Sequence, residues 1–279
     1  MAKQLSAAMG AYGLRLAGAE DAHRFLLPAP SDWPVVEIAR SVRKLDPVTY
    51  FLDDQRAEMT VSNGGRIQVE RLPARVTFTM PEPLRPEELL HPYLGYAASI
   101  FHRWAGRVSF HAGAAVVGDG VWGLLGERES GKSSTLAWLA LAGFGVLCDD
   151  MLVLDGTTAF AGPRLVDLRP ATASLLEVGE ALGVVGTRER FRLGLNGVEP
   201  ELPLKGFVFL AWGPRVELAR VSVPERLLRL TSELSLRRVP TNPGALVELA
   251  GLPFWELRRP HGLDSLEAAG RRLLDELGT

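Results

Sequence analysis

The stretch from Val121 to Asp150, VWGLLGERESGKSSTLAWLALAGFGVLCDD, constrains this chain more than any other. It has the pattern of a short apolar strand, a glycine-gated loop, a helix stopped by Gly143 and a second apolar strand. Gly126, Gly131, Lys132 and Ser133 fit the spacing G-x-x-x-x-G-K-[ST]. Glycines let the backbone wrap so that successive N–H groups point at phosphate oxygens, and the following helix aims its positive end at the same place. Lys132 adds a full charge, and Ser133 can ligate magnesium. Ser130 and Ser134, on either side of the Gly-Lys-Ser step, complete the expected nucleotide contacts. Lysine occurs only at Lys3, Lys44, Lys132 and Lys205, so a chance match to this spacing is rare.

A chain of 279 residues that is 47 % hydrophobic is long enough for one large domain or two modest ones with real cores. A net charge of −2 gives no electrostatic reason to expect nucleic acid or an anionic membrane as partner. A single cysteine, Cys148, excludes an intrachain disulfide framework and a multi-cysteine zinc site, which points to a reducing compartment. The opening MAKQLSAAMGAYGLRLAG lacks the apolar core of a signal peptide, and no uncharged run is long enough to cross a bilayer. A soluble, cytoplasmic protein is the expectation.

Residues 1 to about 83 carry short alternating segments, YGLRLAG, AEMTVS, RIQVERL and ARVTFTM, separated by turn residues such as Asn63-Gly64-Gly65. This is the pattern of a small β-rich module, with Asp53-Asp54 as a solvated turn. LRPEELLHPYLGYAASIFHRWAGR follows as a helix broken near His91-Pro92. His91 and His102 lie too far apart along it to ligate one metal together and are expected to pack or face solvent. We divide the chain into residues 1–106, the β-rich module with its linking helix, and 107–279, which hold the loop.

VSFHAGAAVV and VWGLLG form two strands around Gly118-Asp119-Gly120. Centring the hairpin on Asp119 sets His111 opposite Glu127, to within one or two residues of register, at the mouth of the loop; a strand histidine satisfied by a backbone carbonyl is the alternative. FGVLCDD is a buried strand ending in Asp149-Asp150, and carboxylates there are placed for magnesium and a hydroxyl nucleophile. One can hold the ion while the other accepts a proton. The chain then turns back through Asp155-Gly156, which puts Asp150 near Gly162, with Asp167 and Arg169 on the same returning strand.

HAGAAVVGDGVWGLLGERESGKSSTLAWLALAGFGVLCDDMLVLDG resembles the catalytic core of the HPr kinase/phosphorylase family. That family's pattern is a strand histidine, a phosphate loop, a helix ending in glycine and a strand ending in paired aspartates. The resemblance covers about residues 107 to 170. It implies an α/β P-loop kinase core related to phosphoenolpyruvate carboxykinases, here preceded by the small N-terminal β-rich module. It implies ATP and Mg²⁺, and phosphate transfer to a serine hydroxyl of a peptide or protein. The implied roles are Lys132 and the loop amides on the phosphates, Ser133 with Asp150 on Mg²⁺, Asp149 as base and His111 as an auxiliary polar group. The chain departs from the bifunctional sensors in its N-terminal module, and only LVDLRP loosely matches their second signature. In size and layout it is closer to the HPr-kinase-like enzymes of lasso-peptide biosynthesis, which act on the C-terminal serine of a precursor peptide.

Beyond this core, PATASLLEVGEALG is expected as a helix, and TRERFRLGLNG as an extended segment with Arg188, Arg190 and Arg192 along one face, a solvated arginine edge. KGFVFLAWG, RVELARVSV and PFWELRRP are strands, while PERLLRLTSEL, NPGALVELAGL and LDSLEAAGRRLLDELG are helices. The expected partners are a nucleotide and a peptide or protein substrate, with no nucleic acid and no membrane; a homo-oligomer stays open. The competing readings are an HPr-kinase-like regulator, a catalytically silent nucleotide-binding module and a small-molecule kinase or carboxykinase-like enzyme. The intact loop and both aspartates argue against the silent module, and Glu127 and Glu129 inside the loop weaken that argument modestly, because they bring negative charge near phosphate.

Overall fold

The computed structural model describes residues 8–278 and is a mixed α/β fold. The leader reading rests in part on residues 1–7, which lie outside the described residues. The first sheet is drawn wholly from the opening part of the chain. Its strands are β1 (Met9–Ala11), β2 (Leu14–Ala17), β3 (Leu27–Pro28), β4 (Val35–Val42), β5 (Phe51–Leu52), β6 (Arg56–Thr60), β7 (Arg66–Glu70) and β8 (Arg75–Met80). They lie in the order β3-β1-β2-β4-β8-β7-β6-β5. Alternation decides which face is buried: Ile67 and Val69 of β7, with Val76 and Phe78 of β8, enter the core. Asp53 accepts the N–H groups of Gln55 and Arg56, each at 2.8 Å, and so serves as a turn residue.

Two helical pieces follow, α1 (Pro86–Glu88) and α2 (Leu94–Trp104). Between them His91 has φ −148° and ψ 121°. A residue before proline is driven out of the helical region, and the helix breaks where the sequence places the break. Leu94, Ala97, Ala98 and Ile100 of α2 are buried at helical spacing.

The second sheet holds the loop. Its first members are β9 (Val108–Phe110), β10 (Gly113–Val117) and β11 (Gly120–Leu125), followed by α3 (Lys132–Leu141), β12 (Gly145–Cys148), β13 (Leu152–Asp155) and β14 (Thr158–Phe160). A small separate sheet comes next, built from β15 (Leu165–Leu168), β16 (Glu180–Val185) and β17 (Arg188–Gly194), with α4 (Pro170–Leu176) inserted after β15. The chain returns to the second sheet with β18 (Glu201–Trp212) and β19 (Glu217–Arg220), passes through α5 (Val223–Ser232) and α6 (Gly244–Ala250), and closes with β20 (Phe254–Arg259) and α7 (Leu266–Leu277).

β18 runs parallel to β11 on one side and to β20 on the other. β10 is antiparallel to both β11 and β12, so β12 runs in the direction of β11. The carboxyl ends of β11, β12, β18 and β20 therefore share one edge of the sheet, the edge at which open α/β sheets bind ligands. α3 packs across β10 and β12 and against α7.

Two local expectations fail. Only the first half of PATASLLEVGEALG is helical: Glu177 takes a left-handed φ of 54° and ends α4, and Gly179 at φ 97° redirects the chain into β16. The backbone of β16 is claimed by pairing with β17, which overrides helical propensity. Asp167 is likewise not on the strand that returns from Asp155-Gly156. That strand, β14, is in the second sheet, whereas Asp167 lies on β15 of the small sheet. The hairpin about Asp119 does hold: Val116 lies opposite Val121 and Val117 opposite Gly120, within the one or two residues of register allowed for it.

One buried apolar cluster runs from Ala11 of the first sheet and Tyr12 in the turn after it through α2 to Phe207 and Phe254 of the second, and another, with Leu124, Leu136, Leu139 and Leu273, packs α3 and α7 onto the second sheet. Among the described residues no helix is long and apolar enough to cross a membrane.

Candidate functional site

The loop between β11 and α3 begins at Gly126, which has φ 142°. A Cβ there would lie 2.7 Å from the Leu210 carbonyl oxygen and 2.7 Å from Ser130 Oγ, so both conformation and space demand glycine. Gly131, at φ 95°, caps the amino end of α3. Lys132 folds back over the loop: Nζ donates to the carbonyls of Gly126 at 2.5 Å and Glu127 at 3.2 Å. Its ammonium is buried, and that burial lowers its pKa. Ser130 Oγ is buried in the loop and has no hydrogen-bond partner among the described residues. Ser134 Oγ pairs with Thr172 Oγ1 at 3.0 Å, and both residues line the same cleft as Lys132.

At the end of β12 the two aspartates take different environments. Asp149 is 6 % exposed and both its oxygens are engaged: Oδ1 accepts from Ser133 Oγ at 3.0 Å and Oδ2 from the Asp167 N–H at 3.3 Å. Burial, with the neighbouring Asp150 charge, pushes its carboxyl up to about 6. Asp150 turns into the cleft with a left-handed φ of 71°, a conformation that costs a non-glycine residue about 1–3 kcal/mol. Its Oδ1 lies 3.1 Å from His111 Nδ1 and its Oδ2 3.6 Å from His91 Nδ1. Burial pushes this carboxyl up too, but His91, His111 and Lys132 outweigh it and hold the group below the usual carboxylate range. The hydrogen bond to Asp150 in turn raises the His111 pKa.

His111 thus stands beside the loop, and both alternatives for it contain part of the answer. Its Nδ1 contacts the Asp150 carboxylate and also, at 3.2 Å, the Asp150 backbone carbonyl. Its backbone N–H donates to the carbonyl of Glu233 at 2.7 Å; His111 is not on a strand as expected but in the bend between β9 and β10, which this bond ties to the end of α5.

Several residues here were not singled out from the sequence. His91, expected to pack or face solvent, faces Asp150; its position at the helix break was the available signal. Glu233 is 7 % exposed and faces Lys132 and His111, and its carboxyl is raised by burial. Nothing in its local sequence marks it, because it is brought in by the packing of α5. Glu129, read as a repulsive charge, is neutralised: its carboxylate bonds Arg169 at 2.7 Å and Arg188 at 3.4 Å. The arginine comb is not a solvated edge either. Arg192 makes a bidentate pair with Asp167, both bonds 2.7 Å, fully buried, while Arg188 and Arg190 line the cleft.

The cleft has a volume of about 1090 Å³ and is lined by Lys132, Ser133, Asp149, Asp150, His111 and Glu233 among others. That volume is enough for a nucleotide-sized ligand. The donor set beside Ser133 is all oxygen, the chemistry of Mg²⁺. Among the described residues no group of three His, Cys, Asp or Glu side chains is gathered around one point. Cys148, adjacent, is buried, and burial raises its thiol pKa, so it stays a neutral strand residue.

The mixed α/β fold and a glycine loop flanked by two aspartates and a histidine define the class to which the molecule can be compared. No protein-family model matches the chain, and no curated protein is similar to it in sequence. Among solved structures it is similar to the HPr(Ser) kinase/phosphatase from Coxiella burnetii, at 12 % identity. The match covers 60 % of this chain and 89 % of that one, with a TM-score of 0.30.

Proposed function

We propose that this chain is an ATP-dependent kinase of the HPr-kinase-like kind, transferring phosphate to a serine hydroxyl of a peptide or protein. The observation that carries the reading is the Ser133–Asp149 hydrogen bond beside the Asp150–His111 pair, at the amino end of α3. It brings oxygen ligands for a magnesium ion and a polar receptor for a hydroxyl to one glycine loop. The resemblance of residues 107–170 to the family's core points the same way, and the layout favours the C-terminal serine of a lasso-type precursor peptide as acceptor.

In this reading the loop amides, Lys132 and Ser130 bind the phosphates, and Lys132 exchanges its two carbonyl contacts for phosphate oxygens. Magnesium, when bound, neutralises charge developing on the transferred group. The contacts favour Ser133 with Asp149 as its ligands, since both Asp149 oxygens are fixed in that corner. Asp150, more open to the cleft and backed by His111, then orients the acceptor hydroxyl and takes its proton, as the weaker base of the two carboxylates since its neighbours hold its pKa down. The opposite distribution, Asp149 as base and Asp150 on the metal, is favoured by the Asp149 carboxyl at about 6, close to a working pH. A bound cation would lower that value, which is why the contacts weigh more.

Serine-containing peptides incubated with ATP and Mg²⁺ should gain the mass of one phosphoryl group. Asp149→Asn should raise the Mg²⁺ concentration needed for half-maximal turnover, and Asp150→Asn should lower the maximal rate at unchanged Mg²⁺ requirement. The reverse pattern would exchange the two roles; nucleotide binding without transfer to any acceptor would favour the silent module.

A further inference from the structure

The other end of the cleft carries an aromatic corner that phosphate chemistry does not use. Trp212 closes β18 and is 37 % exposed, although Phe207, Val208 and Leu210 before it are core. The imidazole of His261, just past β20, lies with its centroid 4.7 Å from the indole, tilted by 59°. The Arg259 guanidinium is 4.4 Å from the indole centroid. Arg259 is itself held, 4 % exposed, by the Gly262 carbonyl and by Ser265 Oγ at 3.3 Å.

This corner abuts the glycine loop. A Cβ on Gly131 would lie 2.5 Å from an Arg259 terminal nitrogen and 3.6 Å from the Trp212 ring. Gly131, Trp212, Arg259 and His261 line the same cleft as Lys132 and Asp150. The strand order fixes direction: β10 and β12, with the aspartates, flank β11 on one side, and β18 and β20, with the corner, flank it on the other. A phosphate chain that follows the loop and ends beside Asp149 and Asp150 has its other end directed at β18 and β20. A large aromatic ring left partly exposed there, with a fixed cation over it, is a stacking surface.

We propose that Trp212 and His261, braced by Arg259, form a nucleobase subsite that stacks the aromatic base of the nucleoside triphosphate, an assignment that rests on the phosphate-site reading above. Stacking recognises the π-face that every base has, so the subsite contributes affinity for a nucleoside over a bare polyphosphate.

The test titrates the protein with ATP and with inorganic tripolyphosphate, both with Mg²⁺. Trp212→Ala should weaken ATP binding about tenfold or more, the range of base–aromatic stacking, and leave tripolyphosphate binding unchanged. Trp212→Phe, which keeps a ring, should recover most of the loss, and His261→Ala should lose less than Trp212→Ala. Retained tripolyphosphate binding reports that the variants are folded. Equal losses for both ligands, no loss for either, or equal wild-type affinity for both would overturn the subsite while leaving the phosphate site standing. Wild-type protein that binds neither ligand would overturn both.

Discussion

Lys132 shows how one residue can be chosen by chemistry and held by structure. A buried ammonium is costly, and here two loop carbonyls hold it at the point where phosphate oxygens would otherwise satisfy it. The glycines around it are fixed just as tightly: Gly126→Ala places a Cβ against the Leu210 carbonyl at a left-handed φ, and should lower both the melting temperature and nucleotide affinity. Asp149 makes the opposite trade. Its folded pKa of about 6 is above the unfolded value of about 3.9, so folding favours the protonated form. The resulting penalty is absent below about pH 4, grows as the group ionises, and is complete above about pH 6. At one pKa unit per 1.36 kcal/mol it amounts to about 3 kcal/mol at most. Asp149→Asn is therefore expected to raise the melting temperature at pH 7 to 8, with the gain vanishing near pH 4. A gain that does not depend on pH would assign the effect to packing. At this scale the turn from Gly126 to Ser133 was the most legible feature, because the positive φ of Gly126 and Gly131 and the helix start at Lys132 are local backbone geometry that the spacing encodes. His91 and Glu233 were not legible, since each reaches the site only through tertiary packing.

At the scale of elements, the small sheet of β15, β16 and β17 steadies the acidic corner. The Asp167 N–H holds Asp149 Oδ2, and the Asp167 carboxylate is held by Arg192 across the β15–β17 ladder. Both members of that pair are buried. Removing one partner leaves an uncompensated charge, so Arg192→Met should cost about 3–5 kcal/mol of stability in chemical denaturation. Combining it with Asp167→Leu should restore most of the loss; a double variant as unstable as the single would show that the pair is needed for more than its charge balance. This sheet was also where the sequence was hardest to read. The segment Glu180–Val185 has no strong strand alternation, and its conformation is set by its partner β17 rather than by its own residues. The strands and helices of the second sheet were legible because they are long apolar runs punctuated by glycine and proline, as at Gly143 and Pro224.

At the scale of the whole molecule, the first sheet and the site-bearing sheet share one apolar core, and the contact between them lies behind the aspartates. The Tyr12 N–H donates to the Ala161 carbonyl at 2.6 Å, the Tyr12 carbonyl contacts His102 Nε2 at 2.5 Å, and its ring packs on Gly162. Burial lowers the His102 pKa to about 3, so the imidazole is neutral at physiological pH and donates to Tyr12. A continuous core of this kind predicts that indole fluorescence and far-ultraviolet circular dichroism follow the same unfolding transition. Two separated transitions would contradict it. None of these long-range contacts is written in a local pattern, and Tyr12 is nearly 140 residues from the aspartates it lies behind. The central claim, that the loop from Gly126 to Ser133 is a phosphate site completed by the aspartates, is tested most directly by calorimetric titration with ATP in the presence and absence of Mg²⁺. The account predicts Mg²⁺-dependent binding by the wild-type protein that falls about tenfold or more in Lys132→Ala. Absent binding, or equal affinity in the folded Lys132→Ala variant, would contradict it.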